Sequence, residues 1–370
     1  MKNKVFIVSA IIFSLIISVN IFARGNINEE DNSIYVRMHP EYAEDFKTEN
    51  KEANVFGETR KLYKTFVYPE KALNAIYEIS KDVLDNLKDK YHLPQFNKKT
   101  VDLYHQTLYL AIEDGVYKSF LEPQVLEFDV FMDTWENDAQ NQEIISLLQE
   151  RTVSKDFLEL LMPYEYEKEI ETNEIPKYEE IKSNIELRKV GMPDLEAAIR
   201  YAARYAYEPN DYYDYFWRRG DCTNFASQIL EAGGVRQEYY DDEFKGWWHL
   251  REKNWLGGTS HKHSISWVQA RTFARYMGIL RTYSDRDHDG HYFFSRDLRP
   301  GSFIGYDKNN DGDFDHIAFI TDTSSQLYNR SYYDYKVAQH TRNYHAWASS
   351  DECGWDELID KGYTIAIIRD

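Results

Sequence analysis

The hydrophobic pattern changes character along the chain. Val5 to Phe22 is an apolar run interrupted only by Ser and Asn. Residues 24 to about 60 are polar, with little apolar periodicity, which predicts a loosely ordered leader. From about Glu70 the period becomes helical: Ala72, Ile76, Ile79, Val83 and Leu87 recur on one face, and stretches around Leu103 to Phe120 and Ile144 to Leu161 continue it. Glu165 to Glu186 is densely charged, contains Pro176 and reads as linker or exposed helix. Beyond Pro193 a helix is predicted over Leu195 to Tyr207, broken by Pro209-Asn210-Asp211. A second is predicted from Phe225, Ala226, Ile229, Leu230 and Ala232, stopped by Gly233-Gly234, and a third from Ser266 to Met277, closed by Gly278. His316 to Thr321, Tyr335 to Thr341 and Tyr363 to Ile368 read as strands. Helices followed by strands predict an α+β domain preceded by a small all-α one.

Lys2 and Lys4 precede the first apolar run, and Ala23 follows it, the layout of a secretory signal over residues 1–23. The run also approaches membrane-spanning length, so an uncleaved anchor is the competing reading. Either places the body outside the cytoplasm, secreted or at a bacterial cell surface. The expected division is then 24–165 as a mostly helical region, 166–190 as charged linker or exposed helix, and 191–370 as the second domain. Net charge is −19, and removing residues 1–23 takes away two lysines and no acid. Such a chain is a poor partner for nucleic acid, whose binding depends on cationic neutralisation of phosphates.

The chemistry centres on Asp221-Cys222-Thr223-Asn224. A cysteine here sits at the first turn of a short buried helix, where unpaired N–H groups and the helix dipole favour thiolate. Far along the chain His316 heads the apolar run Ile317, Ala318, Phe319, Ile320. A cysteine poised to ionise and a histidine on a strand are the parts of a thiol nucleophile with its base. The cysteines are Cys222 and Cys353, and a disulfide between them is the competing reading in an oxidising compartment. His105, among apolar neighbours, reads as a packed or surface histidine.

Gly220-Asp221-Cys222-Thr223-Asn224-Phe225-Ala226-Ser227-Gln228, with Ala232-Gly233-Gly234 behind it, resembles the nucleophile motif of the bacterial putative amidase domain. The aromatic lead-in from Tyr201 through Tyr205 and Tyr212 to Trp217 is similar too. So are Trp247-Trp248, Ser266-Trp267, the run Asp311 to His316, and Gln339-His340-Thr341. The resemblance covers about residues 193–370 and implies kinship with papain-like cysteine peptidases, near the NlpC-type and CHAP cell-wall hydrolases. It implies a papain-like fold, the cysteine helix packed on an antiparallel sheet, with Cys222 as nucleophile and His316 as general base. A third polar residue, often on the next strand, orients the histidine in such enzymes, and His340 is the candidate, ahead of Asn343 and Asp315. If the two strands form a hairpin, the start of the first lies beside the end of the second. Register then decides the face, and a one-residue slip sends His340 to the other side.

These parts perform acyl transfer at an amide carbonyl, with cell-wall peptide the implied substrate, no cofactor required, and membrane contact only through an uncleaved leader. A non-catalytic extracellular binding module with a Cys222–Cys353 disulfide, and a transglutaminase-like acyl transferase, are the alternatives. Asp307, Asn309 and Asp311 before Gly312, and Asp285, Asp287 and Asp289 before Gly290, place oxygens at alternate positions as calcium loops do. Ala318 and Arg296 stand where the twelfth-position Glu belongs, so strand-joining turns compete with calcium in both loops. Zinc held by Cys222, His316, His340 and Cys353 has no close ligand spacing behind it.

Overall fold

A computed structural model of the chain describes residues 39–117, 122–150, 153–165, 192–216, 220–253, 259–284, 290–358 and 362–369. The expected leader (1–23), the charged segment 166–190 and the Asp285–Asp289 loop lie outside the described residues. Among the described residues no helix is long and apolar enough to cross a membrane.

Residues 48–66, only in part expected to be ordered, form an antiparallel hairpin of β1 (Thr48–Val55) and β2 (Glu58–Phe66). Its turn uses Phe56 and Gly57, both at positive φ (52° and 97°), as tight hairpins require. β1 is almost wholly polar and exposed, so no apolar alternation announces it. Five helices follow: α1 (Pro69–Ile79), α2 (Lys81–Tyr91), α3 (Val101–Glu113), α4 (Pro123–Glu150) and α5 (Lys155–Leu161). The helical period read from Ala72 to Leu87 is the buried face of α1 and α2, which buries Ala72, Ile76, Val83 and Leu87.

The second half begins with α6 (Leu195–Tyr205) and α7 (Cys222–Ala232). A hairpin of β3 (His249–Lys253) and β4 (Thr259–His263) comes next. The single helix expected from Ser266 is two: α8 (Ile265–Val268) and α9 (Ala270–Met277), parted by Gln269 in an extended conformation. Then come β5 (Arg281–Tyr283), α10 (Gly290–Asp297), β6 (Phe303–Asp307), β7 (His316–Tyr328), β8 (Tyr332–Gln339), β9 (Tyr344–Trp347) and β10 (Thr364–Arg369). The last six strands make one antiparallel sheet in the order β5-β10-β6-β7-β8-β9. The chain is therefore a mixed α and β protein with antiparallel sheets.

Both faces of this sheet are buried, and alternation along each strand assigns residues to them. Phe303, Ile317, Phe319, Ala338 and Ile368 pack with α6, α7 and α9. Ile304, Ile320, Val337, Ile365 and Ile367 belong to a cluster that also holds Ile76, Leu84, Leu108, Phe128 and Phe131 of the N-terminal helices. The helical region and the sheet thus share one core.

Candidate active site

The α7 helix begins at Cys222, with Asp221 as its N-cap. The Asp221 side chain makes no capping hydrogen bond. It turns outward instead: Oδ1 accepts from the Phe216 N–H (3.0 Å) and the Asn224 amide (2.8 Å), and Oδ2 faces His340 Nδ1 at 2.5 Å. The first-turn N–H groups of α7 are thereby left uncapped by that carboxylate. Gly220, at φ +85°, admits the Thr341 hydroxyl, which accepts the Asp221 N–H at 2.7 Å. Thr341 and Arg342 both hold positive φ (61° and 66°). Such backbone is costly for non-glycine residues and clusters at functional sites. It ends β8 at Gln339 rather than at Thr341.

Cys222 and His316 open into one cavity of about 70 Å³, lined also by Tyr109, Asp129, Tyr306, Lys308, Gln339 and Trp355. Pockets for drug-sized ligands run to about 300–1,000 Å³, so this space admits a reacting carbonyl while the remainder of a substrate lies outside. The His316 ring stacks on Tyr306, with centroids 5.2 Å apart and planes 15° apart. Register decides which side chain supports it. Phe319 pairs with Ala338, so Gln339 shares the face of Ala318 and His316, and His340 shares the face of Ile317 and Phe319. Gln339 is accordingly the side chain that favours the charged form of His316, and its Oε1 accepts from Trp355 Nε1 at 2.8 Å.

His340, expected to orient His316, is placed elsewhere. It is fully buried, stacked on Phe225 at 3.8 Å, bonded to Asp221 through Nδ1, and directed at the Tyr205 carbonyl through Nε2 (2.7 Å). The alternatives Asn343 and Asp315 do not take the expected place either. Asn343 bonds the Tyr215 hydroxyl at 3.3 Å, and Asp315 accepts the Lys308 N–H at 2.7 Å. The sequence signal for Gln339 lay one position from His340, in the same tripeptide.

Burial dominates the electrostatics. It pushes the Cys222 thiol up, with the Ile317 N–H and the Thr223 hydroxyl opposing in part. It holds His316 down at about 4 against the influence of Gln339. The expectation of a resting thiolate is thus reversed: at neutral pH the closed site favours thiol and neutral imidazole, because desolvation outweighs the helix terminus. Cys222 and Cys353 are both free and buried. Burial pushes Cys353 up to about 12, and its thiol lies 3.6 Å from the Tyr344 hydroxyl.

The Asp307–Asp313 loop closes on itself. Asp307 accepts the N–H groups of Asp311 (3.3 Å) and Gly312 (2.8 Å), and Asn309 Oδ1 accepts that of Asp311 (3.2 Å). Asp311 accepts the Asp313 N–H (2.9 Å) and the amides of Asn137 (2.6 Å) and Asn309 (3.0 Å). Gly312 is required: a Cβ there would lie 2.3 Å from the Tyr164 carbonyl oxygen. Oxygens already engaged by N–H donors do not fit a calcium ligand set, and among the described residues no group of three or more His, Cys, Asp or Glu is placed to hold a metal.

The loop is braced by α4. Asp129, Asp133 and Asn137 recur every fourth residue and so share one helix face. Asp129 and Asp133 pair with the buried Lys308 ammonium at 2.7 and 3.2 Å. Asp129 also faces His105 at 3.1 Å. Burial pushes Asp129 up, but Lys308 and His105 outweigh it and hold it near 2. His105, expected to be a bystander, is an ion-pair partner: burial pulls it down, but Asp129 and Glu136 lift it to about 9.

Comparison with known proteins adds the family. Two proteins of Bacillus subtilis (strain 168) are similar: uncharacterized protein YhbB, 29% identical over 131 residues (34% of this chain and 36% of that one), and uncharacterized protein YjcM, 32% identical over 149 residues (37% and 30%). The chain spans about a third of the length of these relatives. No solved structure matches it. The family model described as the putative amidase domain matches residues 193–367, which take in Cys222, His316, Gln339 and the whole six-stranded sheet up to Ile367. Residues 193–367 are a member of the putative amidase domain family.

Proposed function

We propose that this protein is a cysteine-dependent amide hydrolase of papain-like type, exported to the cell surface or beyond, and that it cleaves amide bonds of cell-wall peptide. The observation that carries the reading is the meeting of Cys222, at the start of a buried helix, and His316, at the start of a strand, in one cavity. The family match supports amide hydrolysis. The apolar run behind Lys2 and Lys4 supports export.

In this mechanism His316 takes the thiol proton as Cys222 Sγ bonds to the substrate carbonyl carbon. The uncapped N–H groups of α7 hold the resulting oxyanion. The imidazolium then gives its proton to the departing amine as the carbon–nitrogen bond breaks, leaving a thioester. Water attacks the thioester, His316 again takes a proton, and it returns one to the thiolate as the acid departs. Gln339 steadies the imidazolium, and Trp355 fixes Gln339. Incubating the full chain with isolated cell wall, and mapping new amino and carboxyl termini by mass spectrometry, tests the reading. New termini that also appear with Cys222→Ala, or no new termini on any wall preparation, would overturn it.

A further inference from the structure

The N-terminal helices have no motif of their own, yet Asp129 of α4 and Tyr109 of α3 line the cavity that holds Cys222 and His316. The contacts are specific. Lys308 Nζ meets Asp129 at 2.7 Å, across 179 positions of sequence, and only 5% of the Lys308 side chain is exposed. The Lys308 backbone N–H binds the Asp315 carboxylate at 2.7 Å, and Asp315 is joined directly to His316. Lower on the same helix, Asn137 binds Asp311, and Gln140 binds Arg271 of α9. A buried ammonium needs paired carboxylates to be tolerated, so the position of Lys308 is dictated by α4.

We propose that the helical N-terminal region is a working part of the amidase site, in which Asp129 clamps Lys308 and thereby sets the Asp315–His316 turn that presents the histidine to Cys222. The inference rests on the amidase reading for its catalytic meaning, but the clamp itself is structural and can be read without any substrate. Asp129 and Lys308 are positioning residues in it. The same arrangement explains why the loop ahead of His316 carries so many buried carboxylates: Asp307, Asp311, Asp313 and Asp315 tie it to itself and to the helix. His316 faces Tyr306 from β6, Gln339 from β8 and the cavity holding Cys222, with Lys308 and Asp129 behind. Its ring position on Tyr306 therefore reports whether the clamp holds.

The test uses the full chain with Asp129→Asn, the double change Asp129→Asn with Lys308→Met, and Lys308→Arg. The double change leaves no unpaired ammonium, which keeps the proposal testable should the single change fail to fold. A displacement of the reacting group by about 1 Å costs roughly a hundredfold. We expect kcat to fall by about that factor in the first two proteins, KM to move little, and Lys308→Arg to restore most of the activity. The His316 imidazole resonances, held by the ring current of Tyr306, should shift in the same two proteins. Wild-type kcat within about twofold, or unmoved His316 resonances in folded Asp129→Asn, would overturn the clamp. If wild-type protein cleaves nothing yet the resonances shift as expected, the amidase reading fails and the clamp stands.

Discussion

His340 and Asp221 form a closed pair beneath the nucleophile: Nδ1 of one lies 2.5 Å from Oδ2 of the other, and neither side chain reaches solvent. The second ring nitrogen faces the Tyr205 carbonyl, which can only accept. With Asp221 ionised, both nitrogens must therefore carry protons, and the pair is an imidazolium on a carboxylate. It joins the end of β8 to the residue before Cys222 and fixes the entry of α7.

His340→Ala should consequently act on stability first. Removing one partner of a buried pair leaves an uncompensated charge and costs about 3–5 kcal/mol. The melting temperature should fall sharply, with activity lost alongside it. His316→Ala should leave the melting temperature near that of the wild type. Equal melting temperatures in the two variants would return His340 to a role in the reaction itself.

Cys222→Ala and His316→Ala should each reduce hydrolysis by several orders of magnitude, and the double variant should be no worse than the poorer single one. Groups that act as one unit lose their joint effect when either is removed. Additive losses in steady-state kinetics would mean that the two residues serve separate steps.

Gln339→Ala should lower kcat by about a hundredfold without abolishing it. Its Oε1 is held by Trp355 Nε1 at 2.8 Å, so the amide is fixed before substrate arrives. Loss of the amide frees the His316 ring, whose Nε2 is buried without a hydrogen bond among the described residues. Gln339→Asn, one methylene shorter, should recover only part of the loss. An unchanged kcat in Gln339→Ala would show that stacking on Tyr306 alone holds the ring.

Much of this site was legible in the sequence. Gly233-Gly234 and the apolar spacing fixed the α7 helix, and the run from Ile317 to Ile320 fixed the strand behind His316. The choice between Gln339 and His340 was not legible, because pairing of Phe319 with Ala338 rather than with a neighbour decides it. The role of α4 was hidden for another reason. The stripe of Asp129, Asp133 and Asn137 stands in the sequence at helical spacing, but its partners lie more than 170 positions away. Burial of Cys222 was equally invisible, and it reverses the ionisation that a helix terminus alone would favour.

That reversal has a pH signature. With burial raising the Cys222 thiol and holding His316 at about 4, the resting pair is neutral across the physiological range. Alkylation of Cys222 by a small neutral reagent should rise through the alkaline range with no plateau at neutral pH. Cys353, pushed up to about 12, should react more slowly still. The neutral His316 also binds fewer protons than its unfolded counterpart between its folded value of about 4 and the ordinary 6.5. Its contribution to stability is therefore present above that window and lost as pH falls through it, so His316→Gln should flatten the acid side of the stability curve. A neutral-pH alkylation plateau would instead reveal a preformed thiolate–imidazolium pair.

Calcium should leave the melting temperature unchanged. The alternate oxygens of Asp307, Asn309 and Asp311 have the spacing of a calcium loop, but each is spent on an N–H within the loop or on α4. A cation would have to displace the Asn137 amide from Asp311 and settle near the Lys308 ammonium, losing hydrogen bonds and gaining repulsion. The twelfth position offers no compensation, since Ala318 is a core residue of β7. A ligand that binds only the folded state must stabilise it by mass action, so melts in millimolar calcium and in chelator decide the matter. Asp311→Ala should lower stability by about 1–3 kcal/mol through the orphaned Asn137 amide, equally in both solutions. A calcium-dependent rise in the wild type that disappears in Asp311→Ala would make this loop a metal site, and the ion, rather than α4 alone, would then set the approach to His316.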